Sequence, residues 1–225
     1  MKKVLVIDIG GTNIKFVATG HKTARKFPSG PKMTPGEMVA GIKQHARDWK
    51  YDAVTIGYPG DVKGGRIIRE PKNLGPGWVG FDFKTAFGRP VKLINDAAMQ
   101  ALGSYKGGLM LFLGLGTGFG SALVADGVVV PMNLAHLPYK DGSYEDYMGL
   151  RGMKRLGRPK WRKYVAEVAK RFIAILNPDD VVLGGGVAID LNKPAKGCRL
   201  GDNAHAFLGG MLLWKNAEGK QKKGT

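Results

Sequence analysis

Apolar and polar positions divide this chain into short strand-like runs and longer helix-like stretches. VLVIDIGGTNIKFVA predicts a hairpin with strands over residues 3–9 and 13–19. TPGEMVAGIKQHARDWK follows as a helix with Thr34 at the cap, Pro35 at the first helical position and Glu37 three residues on, the pattern of a reciprocal cap. Met38, Ile42, Ala46 and Trp49 recur on one face of it. AVTIGYP reads as a buried strand, GRIIRE and the segment ending at Phe83 as irregular, and VKLIND as a strand leading into the helix DAAMQALGSY.

Gly107 and Gly108 predict a boundary, with one lobe over residues 1–107 and a second over 108–225. The second lobe opens with a hairpin, LMLFLGLG and SALVADGVVV, in which Asp126-Gly127 is a turn signal. WRKYVAEVAKRFIAIL is an amphipathic helix stopped by Asn177-Pro178, and DDVVLGGGV is a strand running into a glycine turn. NAHAFLGGMLLW is a last helix, expected to pack back on the first lobe, and the tail KNAEGKQKK reads as disordered. Both halves begin with an apolar strand, a glycine-rich turn carrying Thr, and a second strand. A duplicated α/β fold with a cleft between lobes is the expectation.

The repeated turns carry the first candidate chemistry. Gly10, Gly11 and Thr12 in one, and Gly114, Gly116, Thr117, Gly118 and Gly120 in the other, leave backbone N–H groups open to phosphate oxygens. Neither turn has the ending of a Walker P-loop or the dinucleotide fingerprint. Asp8 ends an apolar strand just before the first turn, where an unpaired carboxylate is costly unless it meets a cation or fixed donors. Mg²⁺ bridging phosphates would satisfy it, and so would a bond to its own turn. Two phosphate clasps in one chain point to phosphoryl transfer.

Charge adds a partner to this picture. Lys and Arg number 35 against 18 Asp and Glu, a net charge of +17, so a polyanion is expected. Seven of these cations, Arg151, Lys154, Arg155, Arg158, Lys160, Arg162 and Lys163, fall in RGMKRLGRPKWRK without an intervening acid. That run is either a solvated loop and helix start or a site for nucleic acid or a chain of phosphates. No helix-turn-helix, zinc-finger or RNA-recognition signature accompanies it, so nucleic acid is not the expected partner. The lone Cys198 excludes an internal disulfide and a cysteine-rich zinc cluster, and the four histidines are scattered. No apolar run reaches the roughly 20 residues of a membrane helix, and MKKVLVIDIGG is too short in apolar residues for a signal peptide. The cytoplasm is the expected location.

DIGGTNIK, GYPGDV, NLGPGW, INDA, FLGLGTGFGSAL, HLPY and VVLGGGV occur in the order found in sugar kinases of the ROK group, which the chain therefore resembles over almost its whole length. YEDYMGLRGMKRLG and GDNAHAFLGGMLLW are similar to the polyphosphate glucokinase branch. The resemblance implies a two-lobed, actin-like (ribonuclease H-like) α/β fold with a central cleft, and transfer of a phosphoryl group to a hexose 6-hydroxyl. It implies Asp96 as the base and Asn73, Asn95, Asp96, Asn133, His136 and Glu145 as sugar contacts. It implies Gly10, Gly11, Thr12, Gly116, Thr117, Gly118, Gly184 and Gly185 at the phosphate donor, with Lys15 either reaching phosphate or covering a strand edge. Asp8 is the expected Mg²⁺ ligand, and a homodimer without structural zinc is expected.

Two departures leave the substrates open. The group usually has Glu, any residue, Gly and His where this chain reads NLAH, so Asn133 replaces a carboxylate and the charge-assisted part of a sugar contact is lost. The donor is polyphosphate, ATP or both, with Arg151, Lys154, Arg155, Arg158 and Lys160 as the candidate polyphosphate groove. An ATP-dependent kinase of mannose, fructose or an N-acetylhexosamine, and a non-catalytic sugar- or polyanion-binding relic, are the alternatives. Asp96 at a strand-to-helix junction also fits a helix cap, and Trp78 fits packing behind the NLGPGW loop.

Overall fold

The computed structural model describes residues 2–221, with side chains through Lys215. The chain forms two compact units, Met1–Met99 with Ala206–Thr225, and Gln100–His205.

In the first unit β1 (Val4–Ile9) turns back through the glycines into β2 (Asn13–Ala18), and β3 (Arg25–Pro28) pairs on its far side. Helix α1 (Pro35–His45) carries the expected reciprocal cap: Thr34 Oγ1 accepts from Glu37 N at 3.3 Å, and Glu37 Oε2 accepts from Thr34 N at 2.8 Å. It ends at His45, short of Lys50, yet Ala46 and Trp49 still reach the core. Strand β4 (Ala53–Tyr58), a small hairpin of β5 (Val62–Lys63) and β6 (Arg66–Ile67), helix α2 (Phe83–Phe87), strand β7 (Val91–Asn95) and helix α3 (Asp96–Ser104) follow. The sheet order is β3-β2-β1-β4-β7, antiparallel on the hairpin side and parallel from β1 through β4 to β7. Every residue of β4 is buried, as expected for an inner strand of a parallel set covered on both faces.

The second unit repeats this plan. Strands β8 (Met110–Leu115), β9 (Phe119–Ala125) and β10 (Val128–Met132) form an antiparallel meander. Asp126 and Gly127, at φ 50° and 71°, make the turn that DG signals. A short hairpin of β11 (Pro138–Tyr139) and β12 (Gly142–Ser143) leads to α4 (Tyr144–Met148), α5 (Leu150–Leu156) and α6 (Arg158–Leu176), and then to β13 (Asp180–Gly184) and β14 (Arg199–Leu200). The sheet order is β10-β9-β8-β13-β14, again with its last pairs parallel. Each unit has its own apolar core.

Helix α7 (His205–Gln221) belongs largely to the first unit. Gly210 lets it approach Val6 and Met99 closely, since a Cβ there would overlap Val6. Thr55 Oγ1 donates to Gly210 O at 2.8 Å and accepts from Trp214 Nε1 at 2.9 Å, so buried polar groups on sheet and helix satisfy one another.

Three expectations change. The chain divides within α3, between Met99 and Gln100, and Gly107 and Gly108, at φ 129° and 66°, simply form the turn after that helix. The tail is not disordered through Gln221, because α7 continues that far; Lys222 and Lys223 lie outside the described residues. The basic run is not a loop: apart from the Gly157 break it is helical, making up all of α5 but Leu150 and the start of α6, with Pro159 in a first turn that has no need of its N–H.

Candidate active site

The candidate residues fall into two groups, one in each unit. In the first, β1, β4 and β7 run parallel, so their C-terminal ends lie on one edge of the sheet, the edge where ligands of open α/β sheets gather. Asp8 is the next-to-last residue of β1 and is paired with Gly57, while Asn95 ends β7 opposite Tyr58. At Gly57 the Met99 side chain packs directly over the strand, so that a Cβ there would displace its terminal methyl group.

Asp96 occupies the first position of α3. Its carboxylate accepts from Ala97 N at 2.7 Å, while Asn95 Oδ1 accepts from Ala98 N at 3.1 Å and so takes the capping role that the sequence offered to Asp96. Asn95 Nδ2 also donates to Gly60 O at 3.1 Å, fixing the amide between helix and loop. Asp96 keeps some surface open to solvent but is surrounded densely enough that burial, and then the charge of Asp8, push its pKa up to about 7. The backbone N–H groups that favour its anion offset only part of this.

Asp8 is likewise raised by burial and partly lowered by Lys15, its cross-strand partner. Among the described residues no donor hydrogen-bonds its carboxylate, and the bond to its own turn does not form. Two neighbouring carboxylates, one without a hydrogen bond and both pushed toward the neutral form, suit a divalent cation that also takes phosphate oxygens and water. No group of three or more His, Cys, Asp or Glu side chains among the described residues forms an all-protein cage.

The first clasp is braced from its own turn and from Ser29, just after β3. Gly10 N donates to Asn13 O at 3.0 Å, Ser29 Oγ donates to Gly10 O at 2.6 Å and Ser29 N donates to Thr12 O at 2.9 Å. Gly11 and Thr12 remain exposed, and a Cβ on Gly11 would sit 3.2 Å from Asn73 Cβ, so the clasp and the NLGPGW loop are neighbours. Trp78 is core, beside Tyr58 and Phe83 with ring centroids at 5.7 and 6.3 Å. Ser29 and Gly60 escaped sequence reading because each acts through a backbone contact made only once β3 and the β4–β5 loop are in place.

In the second unit the clasp, the triple-glycine turn and α4 converge. Gly116 N donates to Gly118 O at 3.1 Å inside the clasp, and Leu150 N donates to Gly116 O at 2.8 Å from the α4–α5 junction. A Cβ on Gly118 would lie 2.5 Å from Glu145 Oε2, and one on Gly149 would lie 3.0 Å from Thr117 O. Gly184 is in register with Gly114, and Gly185, at φ 87°, turns so closely past Leu115 O that no side chain fits. Thus Glu145, Gly116–Gly118 and Gly184–Gly185 are assembled, and Gly149 is the member that sequence reading missed. Asn133 and His136 stand exposed at the two ends of the short 3-10 turn Leu134–His136, and neither is hydrogen-bonded to Glu145.

The basic run is partly committed to the fold. Arg158 Nε lies 2.6 Å from Asp190 Oδ1, and Arg162 bonds Asp190 O at 2.7 Å and Asn192 Oδ1 at 2.9 Å. Arg155 donates to Asp146 O at 3.1 Å, and Arg151 lies 3.4 Å from Asp146 and 3.9 Å from Glu145. Lys154 and Lys160 are exposed.

The chain is similar to known proteins over most of its length. It is 28% identical over 218 residues to the polyphosphate glucokinase of Mycobacterium tuberculosis strain CDC 1551, an alignment covering 83% of this chain and 78% of that protein. It is 28% identical over 172 residues to the kanosamine kinase of Amycolatopsis mediterranei, covering 66% and 56%. Among solved structures, the inorganic polyphosphate/ATP-glucomannokinase of Arthrobacter sp. strain KM superposes with a TM-score of 0.82 at 22% identity, covering 96% of this chain and all of that one. A ROK family glucokinase of Streptomyces griseus, solved with glucose and AMPPNP, gives 0.72 at 17% identity, covering 94% and 98%. The ROK family pattern matches residues 4–131, more than half of the chain, and the two repeated units are those of its actin-like fold: this chain belongs to the ROK family.

Proposed function

We propose that the chain is a sugar kinase that transfers a phosphoryl group from polyphosphate, ATP or both to the 6-hydroxyl of glucose, with Asp96 as the base. The observation that carries this reading is the Asp96 carboxyl, on the ligand-binding edge of the sheet and with a pKa pushed up to about 7. A base of that strength is partly ionised at neutral pH and accepts an alcohol proton more readily than an ordinary carboxylate. The hydroxyl proton passes to Asp96 as the sugar oxygen bonds to the transferred phosphorus. The bond from that phosphorus to the donor's bridging oxygen breaks, releasing ADP or a polyphosphate shortened by one unit.

Asn73 and Asn95 are the amides for sugar hydroxyls in the first unit, and the His136 imidazole, the Glu145 carboxylate and the Asn133 amide are the sugar contacts of the second. The N–H groups of Gly10–Thr12, Gly116–Gly118 and Gly184–Gly185 hold donor phosphates, with Lys15 beside Asp8. Asp8, with Asp96 adjacent, would hold Mg²⁺, which supplies positive charge to the donor phosphates. Arg151, Lys154, Arg155 and Lys160 supply the groove for a long polyanion, while Arg158 serves first to anchor α6 on Asp190. A homodimer acting in the cytoplasm completes the reading. The similarity to a polyphosphate glucokinase and a polyphosphate/ATP-glucomannokinase supports this choice of donor and makes mannose the second sugar to test.

The test is a panel of glucose, mannose, fructose and N-acetylhexosamines against polyphosphate and ATP, with Mg²⁺, across salt concentration. Glucose 6-phosphate is the expected product, with the polyphosphate reaction falling more steeply with salt than the ATP reaction. Failure of every pair to yield a sugar phosphate would overturn the proposal.

A further inference from the structure

The second unit contains a cluster of aromatic rings to which the proposed reaction gives no role. Tyr139 lies at its centre, 3% exposed. It stacks on Tyr144 with centroids 4.9 Å apart and planes at 20°, and meets Tyr147 edge-on at 5.0 Å and 88°. Tyr144 in turn reaches Phe119 at 6.3 Å. Lys140 Nζ stands 5.2 Å from the Tyr139 ring, Arg171 5.4 Å from it, and Arg155 4.8 Å from Tyr147, so cations close the rim.

Each of these rings is attached to a site element. Phe119 follows Gly118 of the clasp, Tyr144 precedes Glu145, and Tyr139 lies three residues after His136. The backbone between them has little stiffness of its own: β11 and β12 are two residues each, and their turn places Lys140 at φ 55°. A lone two-stranded hairpin is marginal in water. Three ties join the hairpin to α4: Tyr144 N donates to Leu137 O at 3.1 Å, Ser143 and Asp146 form a reciprocal cap, and the Tyr147 hydroxyl donates to Asp141. These ties all lie within residues 137–147, and the rigid rings, with their directional contacts, carry the packing on to Phe119 beside the clasp.

We infer that this cluster holds His136, Glu145 and the Gly116–Gly118 clasp in one fixed arrangement, with Tyr139 as its central positioning residue. The inference rests on the sugar-kinase reading for the roles of His136 and Glu145. The ring, not the hydroxyl, does this: the buried Tyr139 hydroxyl makes no hydrogen bond of good geometry, and burial followed by the charge of Glu167 raises its pKa. Tyr139→Phe is therefore expected to behave as wild type, whereas Tyr139→Ala, or Tyr139→Leu if the Ala variant does not fold, is expected to loosen all three elements.

The experiment compares these variants with Ile42→Ala, a core change in the first unit, as a control for stability loss. Tyr139→Ala should raise the KM for sugar about tenfold or more, since small misplacements of binding groups are costly, while Tyr139→Phe restores it and Ile42→Ala leaves it within about twofold. Hydrogen exchange of the full-length protein without substrates provides an independent readout. Tyr139→Ala should lose protection in residues 133–149 and 115–120 together. Loss confined to residues 138–144, unchanged exchange, or an equal sugar KM effect from Ile42→Ala would overturn the inference. A wild type without kinase activity would overturn the sugar-kinase reading, and the exchange result would still decide whether the cluster couples these segments.

Discussion

Replacing Asp96 by Asn removes a charge that the folded protein holds at a cost. The carboxyl has its pKa raised from 3.8 to about 7, by burial first and Asp8 second. The folded state therefore binds this proton more tightly than the unfolded chain. Its contribution to stability is fully present below pH 3.8, declines as pH rises, and is lost above about pH 7. Across that gap, at about 1.4 kcal/mol per pH unit, the ionised group costs the fold about 4 kcal/mol, an order-of-magnitude figure. The Asn side chain can accept the same bond from Ala97 N, so Asp96→Asn is expected to stabilise the protein by about 2–4 kcal/mol at pH 8 and hardly at all near pH 4. For a chain of this size that corresponds to a rise in the melting midpoint of roughly 5–10 °C. Circular dichroism melts at pH 4–8 in EDTA, following the transition of the first unit, provide the assay. A variant no more stable than wild type at pH 8, or equally stabilised at both ends of the range, would refute the reasoning.

Gly118→Ala should spare the fold and harm the proposed sugar site, because the atom its Cβ meets at 2.5 Å is the free end of the Glu145 side chain, which can swing away; thermal melts beside sugar KM values check this. Gly185→Ala should cost stability outright, by about 1–3 kcal/mol or more, since φ 87° strains an L residue and the opposing group is a backbone carbonyl; denaturant unfolding measures it. Thr55→Val should lower stability by about 1–3 kcal/mol in the same assay, because Trp214 Nε1 and Gly210 O lose their buried partner at once, with kcat unchanged in the folded fraction.

The parts of the fold legible in the sequence were those with a local cause. Alternation and the glycine turns announced β1–β2 and β8–β9, and Thr34 with Glu37 announced the start of α1. The repeat was also legible, and both sheets show it as three antiparallel strands followed by parallel partners. Contacts between distant residues were not. That Asp8 and Asp96 act on each other depends on parallel pairing across β4, which no local pattern encodes. The commitment of Arg158 and Arg162 to Asp190 and Asn192 likewise needs α6 packed on a turn about 30 residues away. Ser29 was hidden because it follows β3, a four-residue edge strand too short to be read from the sequence. The aromatic cluster around Tyr139 was hidden because its rings come from two strands and two helices at irregular spacing.

The central claim, that the Asp96 carboxylate removes the hydroxyl proton during phosphoryl transfer to a hexose, is tested most directly by kcat and sugar affinity measured together for wild type and Asp96→Asn with the best sugar–donor pair. The account predicts a kcat lower by about 10²–10⁴ for the variant, with sugar binding, followed by calorimetry, changed far less. A variant that turns over sugar at the wild-type rate would contradict it.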